Sequence, residues 1–136
     1  MNYFNHPPEI RHFQFVIVGL DDLPPDDAAK LVERLCDSFV SHGANIDCIS
    51  SILVIGTFGL LNVEDSEEAR VKLVGELLKA HGKFVRIAHG QCSSVVGNLG
   101  SKHRFNYMGL IPRLHEIREQ LSETPIGTAF EVPEQK

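Results

Sequence analysis

The stretch HFQFVIVGL, from His12 to Leu20, constrains this chain more than any other. It begins with alternating side chains and ends in a solid apolar run, the pattern of a central strand buried on both faces. The next segments supply its neighbours. DDLPPDD is a loop and helix start, with Pro24 and Pro25 outside or in the first turn. Leu31, Val32, Leu35, Cys36, Phe39 and Val40 then recur at helical spacing, and Gly43 stands where a left-handed cap favours glycine. ANIDCIS and SILVIGTF are strand-like runs meeting at Ser50-Ser51, which predicts a hairpin even without an Asn-Gly or Asp-Gly turn.

EDSEEARVKLVGELLKAHG predicts a second helix. Asp65 and Glu68 have capping-box spacing, Leu73, Val74, Leu77 and Leu78 form an apolar face, and Gly82 ends it. KFVRIAH and CSSVVGN are expected to pair as strands that turn near Gly90. LIPRLHEIREQL is a third helix with Pro112 in its first turn, and GTAFEV is a short final strand. The order β-α-β-β-α-β with later additions predicts an α+β fold, ferredoxin-like at its centre, with the helices on one face of the sheet. All 136 residues fit one domain, and only the ends, through Pro8 and from Pro133, resemble linkers.

Charge and cysteine usage limit the partners. A formal net charge of −5 argues against a nucleic-acid ligand held through its phosphates. The longest apolar run, Ile52 to Leu61, contains a threonine and two glycines and is too short to cross a bilayer. The N-terminal MNYFNHPPEI lacks the basic start and apolar segment of a signal peptide, so no membrane partner is expected. Cys36, Cys48 and Cys92 cannot all pair and form no CxxC, so they read as reduced thiols of a cytoplasmic protein.

Two segments carry a family resemblance. SHGANIDCISSILVIGTFG resembles the part of class III adenylate and guanylate cyclases that reads HGG-x-(hydrophobic)-x-K-x-x-G-D and closes with FG. FVRIAHGQCSSVVGNLGSKHRFNY resembles their later segment, with V-x-x-G-N-x-G-S followed by R-x-x-Y; here these are Gly97, Asn98, Gly100, Ser101, Arg104 and Tyr107. The likeness runs from His12 to about Leu121, over a chain shorter than is typical of that catalytic domain. It implies a cyclase-like α+β domain that pairs head to tail, with the active sites at the interface. Active members hold two metals on two aspartates, read the base with a lysine and a second polar residue, orient the ribose with an asparagine, and stabilise the transferring phosphoryl group with an arginine.

Transferred position by position, that set is largely lost. The metal aspartates fall on Gly19 and Ile52, and the base readers on Cys48 and Met108. His115 stands for the asparagine and Glu119 for the arginine, although a slip of one position would recover Arg118. Asp21 and Asp22 lie just past Gly19, which leaves a shifted metal ligand as an open alternative. Glycine and isoleucine offer a hard cation no oxygen side chain, and glutamate would oppose developing negative charge. The resemblance therefore implies a cyclase domain without cyclase chemistry.

GNLGSKHR could be read as a phosphate cradle built from Gly97, Asn98, Gly100, Lys102 and Arg104. Such a cradle should lead directly into a helix whose free N–H groups face the anion, whereas this chain is expected to stay extended through Tyr107. A structural turn is the favoured reading. The seven histidines lack i, i+3 or i, i+4 histidine partners, and His42 and His81 each precede a helix-ending glycine, where they suit the helix dipole. Cys36, on an apolar helix face, reads as an inert thiol, and Cys48 and Cys92 lack a signature for an activating base. Asp21, Asp22, Asp26 and Asp27 read as a solvated loop and helix start.

The expected function is a non-catalytic interaction module, as a homodimer or beside another protein, with apolar surface offered near Ser93 to Gly97 and by the first helix. No cofactor, metal or nucleotide is expected. Two alternatives stay open: a nucleotide sensor without turnover, and a cyclase with relocated catalytic residues.

Overall fold

The computed structural model describes residues 9–50, 52–58, 67–96 and 114–133. The apolar run forms β1, Glu9–Leu20, beginning ahead of the predicted His12. Its side chains alternate as a strand must: Val16, Val18 and Leu20 enter one buried cluster, while Phe13, Phe15 and Ile17 enter another. Helix α1, Pro25–Ser41, places Pro25 in its first turn, where a missing N–H leaves no bond unmade, and Asp26 and Asp27 near the positive end of its dipole. Its buried residues, Ala28, Leu31, Leu35 and Phe39, recur every three or four positions. The helix stops as predicted. His42 Nδ1 hydrogen-bonds the Ser38 carbonyl at 2.9 Å, and Gly43 takes φ +84°, a conformation that penalises a Cβ.

The predicted hairpin is present as β2, Asn45–Ile49, and β3, Leu53–Phe58, antiparallel and closed by the Ser50 N–H donating to the Leu53 carbonyl at 2.8 Å. A bulge interrupts the register between Ile46 and Cys48. Helix α2, Glu67–His81, buries Leu73, Val74 and Leu77 as expected, and Arg70 with them. Asp65 of the expected capping box lies outside the described residues, as does Pro112.

Two expectations need correction. The chain does not turn near Gly90: Val85–Val96 is one strand, β4, paired antiparallel with β1 from Glu9↔Val96 to Leu20↔Val85. Gly90 is small for a different reason. A Cβ there would stand 2.9 Å from the Val132 carbonyl oxygen and 3.3 Å from Phe15 Cζ, so the glycine marks a close approach. Val132 ends β5, Ala129–Val132, which adds to β4 in parallel and completes a sheet of order β2-β3-β1-β4-β5. The first four strands in that order have the ferredoxin-like arrangement, and the fold class is α+β as predicted.

The helices also do not share one face. Helices α1 and α2 cover Val16, Val18, Val54, Phe58 and Ile87, whereas α3, Leu114–Glu123, lies on the opposite side with Ile117 and Leu121 against Phe13, Phe15, Ile17 and Leu53. The cause is the doubly apolar β1. Leaving Phe13, Phe15 and Ile17 in water would forgo about 1.5–3 kcal/mol per side chain. No helix among the described residues is long and apolar enough to cross a membrane.

Candidate functional site

The end of β1 brings three segments together. The Leu20 N–H donates to the Ile52 carbonyl at 3.0 Å, and the Asp21 N–H donates to the Phe84 carbonyl at 2.8 Å. These bonds fix the β2–β3 turn and the start of β4 on either side of the strand end. Two hollows open there. A cleft of about 530 Å³ is lined by Asp21, Asp22, Pro25, Ile52 and Arg86. A smaller hollow of about 170 Å³ is lined by Gly19, Ile52, Arg86, Arg118, Leu121 and Ser122.

The residues singled out in the sequence divide accordingly. Gly19, Ile52, Asp21, Asp22 and Arg118 all lie around these hollows. Gly19 is buried and Ile52 is 61% exposed. His115 and Glu119 line neither hollow; they pair at 3.0 Å on the exposed face of α3. Cys48 is an exposed free thiol on β2, Cys92 is buried and Cys36 is half-buried, its thiol pushed up first by burial and then by Asp37. Gly97, Asn98, Gly100, Lys102, Arg104 and Met108 lie outside the described residues.

Sequence reasoning missed Arg86. It stands opposite Gly19 in the β1–β4 ladder. A Cβ built on Gly19 would meet Leu121 Cδ2 at 3.1 Å and Arg86 Cγ at 3.3 Å. The space into which a side chain at position 19 would project is thus filled from α3 and β4. A lone arginine inside the apolar KFVRIAH was the available signal.

Solved structures with the same architecture are informative at this point. The guanylyl cyclase Cya2 superposes with a TM-score of 0.70 at 19% identity, over 90% of this chain and 75% of that one. The adenylyl cyclase CyaB from P. aeruginosa gives 0.58 at 13% identity, over 92% and 78%. The guanylyl cyclase domain of the RhoGC fusion protein from the aquatic fungus Blastocladiella emersonii, solved as a dimer and as a monomer, gives 0.68 and 0.61 at 11% identity, over 93% and 82%. The fold is that of a class III nucleotidyl cyclase catalytic domain. No protein-family model and no curated protein matches the sequence.

The metal pair implied by the cyclase resemblance does not fit the side chains at these positions. Gly19 has no side chain and its surroundings are filled, while Ile52 offers only hydrocarbon. Asp21 and Asp22 are the carboxylates that line the larger cleft, and the charge of Arg86, which lines the same cleft, opposes a cation. Among the described residues no group of three or more His, Cys, Asp or Glu could hold a metal ion.

A second polar feature of this cyclase fold lies away from the strand end. Arg70 of α2 is 1% exposed, on the stripe that continues through Leu73, Val74 and Leu77. It donates to His89 Nδ1 at 3.0 Å and to Glu131 Oε2 at 3.0 Å, tying α2 to β4 and β5. Burial, then the Arg70 charge, holds the His89 pKa below its ordinary 6.5, with Glu131 opposing. A base with a depressed folded pKa contributes stability that is complete above its unfolded value and is lost as pH falls through the folded value. The melting temperature should therefore fall more steeply below pH 6.5 in the wild type than in His89→Gln, whose amide oxygen still accepts from Arg70. The comparison isolates His89 from Asp47, which partial burial raises to about 6 with the Thr57 hydroxyl opposing, and which has the opposite slope. Parallel melting curves for the two proteins from pH 8 to pH 5 would contradict this assignment.

Proposed function

We propose that this chain is a cyclase-fold domain without cyclase chemistry that acts through protein contact, as half of a homodimer or as a regulatory partner. One observation carries the reading: at the position that the resemblance assigns to a metal aspartate, Gly19 is packed under Leu121 and the Arg86 stem. A site adapted to hydrophobic filling has no room for a metal ligand. The surroundings support contact as the retained role. Ile49, Ile52 and Phe84 are 55%, 61% and 43% exposed, and all three sit at the same end of the sheet, where Ile52 lines both hollows. Val40 of α1 is exposed as well, in keeping with the expected apolar surface of that helix, whereas the side chains expected near Gly97 lie outside the described residues.

The test combines chemistry and mass. Purified protein given ATP or GTP with Mg²⁺ or Mn²⁺ should form no cyclic nucleotide, and sedimentation at micromolar concentration should show a species of twice 15.1 kDa. Cyclic product that disappears in Asp21→Ala would instead establish a relocated active site. A strictly monomeric protein would remove the homodimer. A nucleotide sensor without turnover is the second reading, favoured by the open cleft beside Asp21 and Asp22.

A further inference from the structure

A third hollow, of about 510 Å³, lies between α1 and the end of α2 and shares only Leu23 with the cleft at the strand end. Its apolar lining is Leu23, Leu31, Ala80 and Phe84. Leu31 belongs to the core cluster under α1 and α2, and Leu23 packs against that cluster, so the floor of the hollow is the edge of the core. Phe84 stays 43% exposed although its backbone is held on both sides. Its N–H donates to the His81 carbonyl at 2.9 Å, and its carbonyl accepts from the Asp21 N–H at 2.8 Å. A ring on so fixed a backbone does not fold inward, and its uncovered apolar area is open to a ligand.

Basic side chains line the same space. Lys30 and Arg34, four residues apart on α1, meet His81 at the end of α2. Among the described residues none of these three side chains has a hydrogen-bond or ion-pair partner. Burial first, and then the Arg34 charge, hold the His81 pKa below its ordinary 6.5, with Glu76 opposing. The imidazole is therefore an uncharged hydrogen-bond donor near neutral pH. Asp27 also lines the hollow, from the first turn of α1, where the helix dipole already favours it. Lys30 and Arg34 against Asp27 leave a single net positive charge.

An apolar floor with a few convergent polar groups is the usual form of a small-molecule pocket, and the volume falls within the range of about 300–1,000 Å³ common to them. The charges select the head group. A monoanion balances the rim, whereas Asp27 would repel a second negative charge and Lys30 and Arg34 would repel a cation. A carboxylate also matches the planar fork of Arg34.

We propose that the hollow between α1 and α2 binds an amphipathic monoanion, a carboxylate carried on an apolar body, with its head group on Arg34 and Lys30 and its body against Phe84, Leu23 and Leu31. Such a site depends neither on dimerisation nor on the positions at the end of β1, so it goes beyond the interaction reading and stands or falls apart from it.

The test is calorimetric titration of the full chain with octanoate, acetate, octanol and octylammonium at constant ionic strength. Octanoate is expected to bind saturably, and about tenfold or more tightly than the others, since acetate lacks the body, octanol the charge and octylammonium its sign. Arg34→Gln, at an exposed position of α1, should weaken octanoate by about tenfold or more while its melting temperature without ligand stays that of the wild type. Ala80→Phe, which fills the hollow from an exposed position of α2, should abolish saturable binding. The proposal is overturned if the wild type shows no saturable octanoate binding, if any of the other three probes binds as tightly, or if either variant binds octanoate like the wild type.

Discussion

Gly56→Ala is expected to destabilise the domain by about 3 kcal/mol, lowering the melting temperature by roughly 10 °C. Gly56 lies in the middle of β3, between Val16 of β1 and Ile46 of β2, and its face is covered by the ring of Phe39. A Cβ there would fall inside the space of that ring and stand 3.0 Å from the Asn45 carbonyl oxygen. Phe39 has nowhere to go. It is fully buried at the end of α1, and its own carbonyl accepts from the Ala44 N–H at 3.0 Å, so moving the ring means moving the helix end. Added volume in a close-packed core is relieved only by such shifts. The same substitution at Gly75 makes a useful contrast. That exposed position in α2 has nothing within 4 Å of a new Cβ, and alanine there should stabilise by about 0.5–1 kcal/mol through helix propensity. Gly56→Leu would add nothing to the comparison, but Phe39→Leu should recover part of the loss in the Gly56→Ala background and cost stability alone. Thermal melts placing Gly56→Ala within about 1 kcal/mol of the wild type would mean that Phe39 is not held as described.

The parts of this fold visible in the sequence are those set by local period. Alternation fixed β1 as a central strand, helical spacing found α1 and α2, and Gly43 marked the cap that the structure contains. Two errors share a physical origin. A glycine inside a strand resembles a turn when only neighbours in sequence are considered; what Gly90 accommodates is Phe15 of another strand and the Val132 carbonyl of a third. Likewise, the apolar face of α3 says that it packs, but which side of the sheet it chooses depends on Phe13, Phe15 and Ile17 needing cover. The candidate site behaved similarly. The resemblance led to Gly19 and Ile52, which do meet at the end of β1, but Leu121 and Arg86 reach Gly19 from distant segments and carry no local signature. Arg70 was legible in the sequence, since it falls three and four residues before Leu73 and Val74 on a buried stripe.

Restoring the two aspartates tests whether the site is merely missing ligands or has been rebuilt around their absence. Gly19→Asp combined with Ile52→Asp is expected to lose about 2–3 kcal/mol of stability and to show no Mg²⁺- or Mn²⁺-dependent rise in melting temperature. Nearly all of the loss should come from position 19. Ile52 is 61% exposed, so an aspartate there meets water, whereas a side chain on buried Gly19 must displace Leu121 at 3.1 Å and the Arg86 stem at 3.3 Å. The new carboxylate would also find the Arg86 guanidinium beside it, and an ion pair with that group competes directly with a metal. Adding Leu121→Ala distinguishes crowding from charge. If crowding dominates, the truncation should cost less in the Gly19→Asp background than in the wild type, because it vacates the volume that the aspartate needs. The deciding measurement is the melting temperature of the double variant across a millimolar titration of Mg²⁺ or Mn²⁺. A concentration-dependent rise absent from the wild type would show that the cation site survives in all but its two ligands. The packing of Leu121 over Gly19 would then be a consequence of losing an aspartate and no barrier to regaining one.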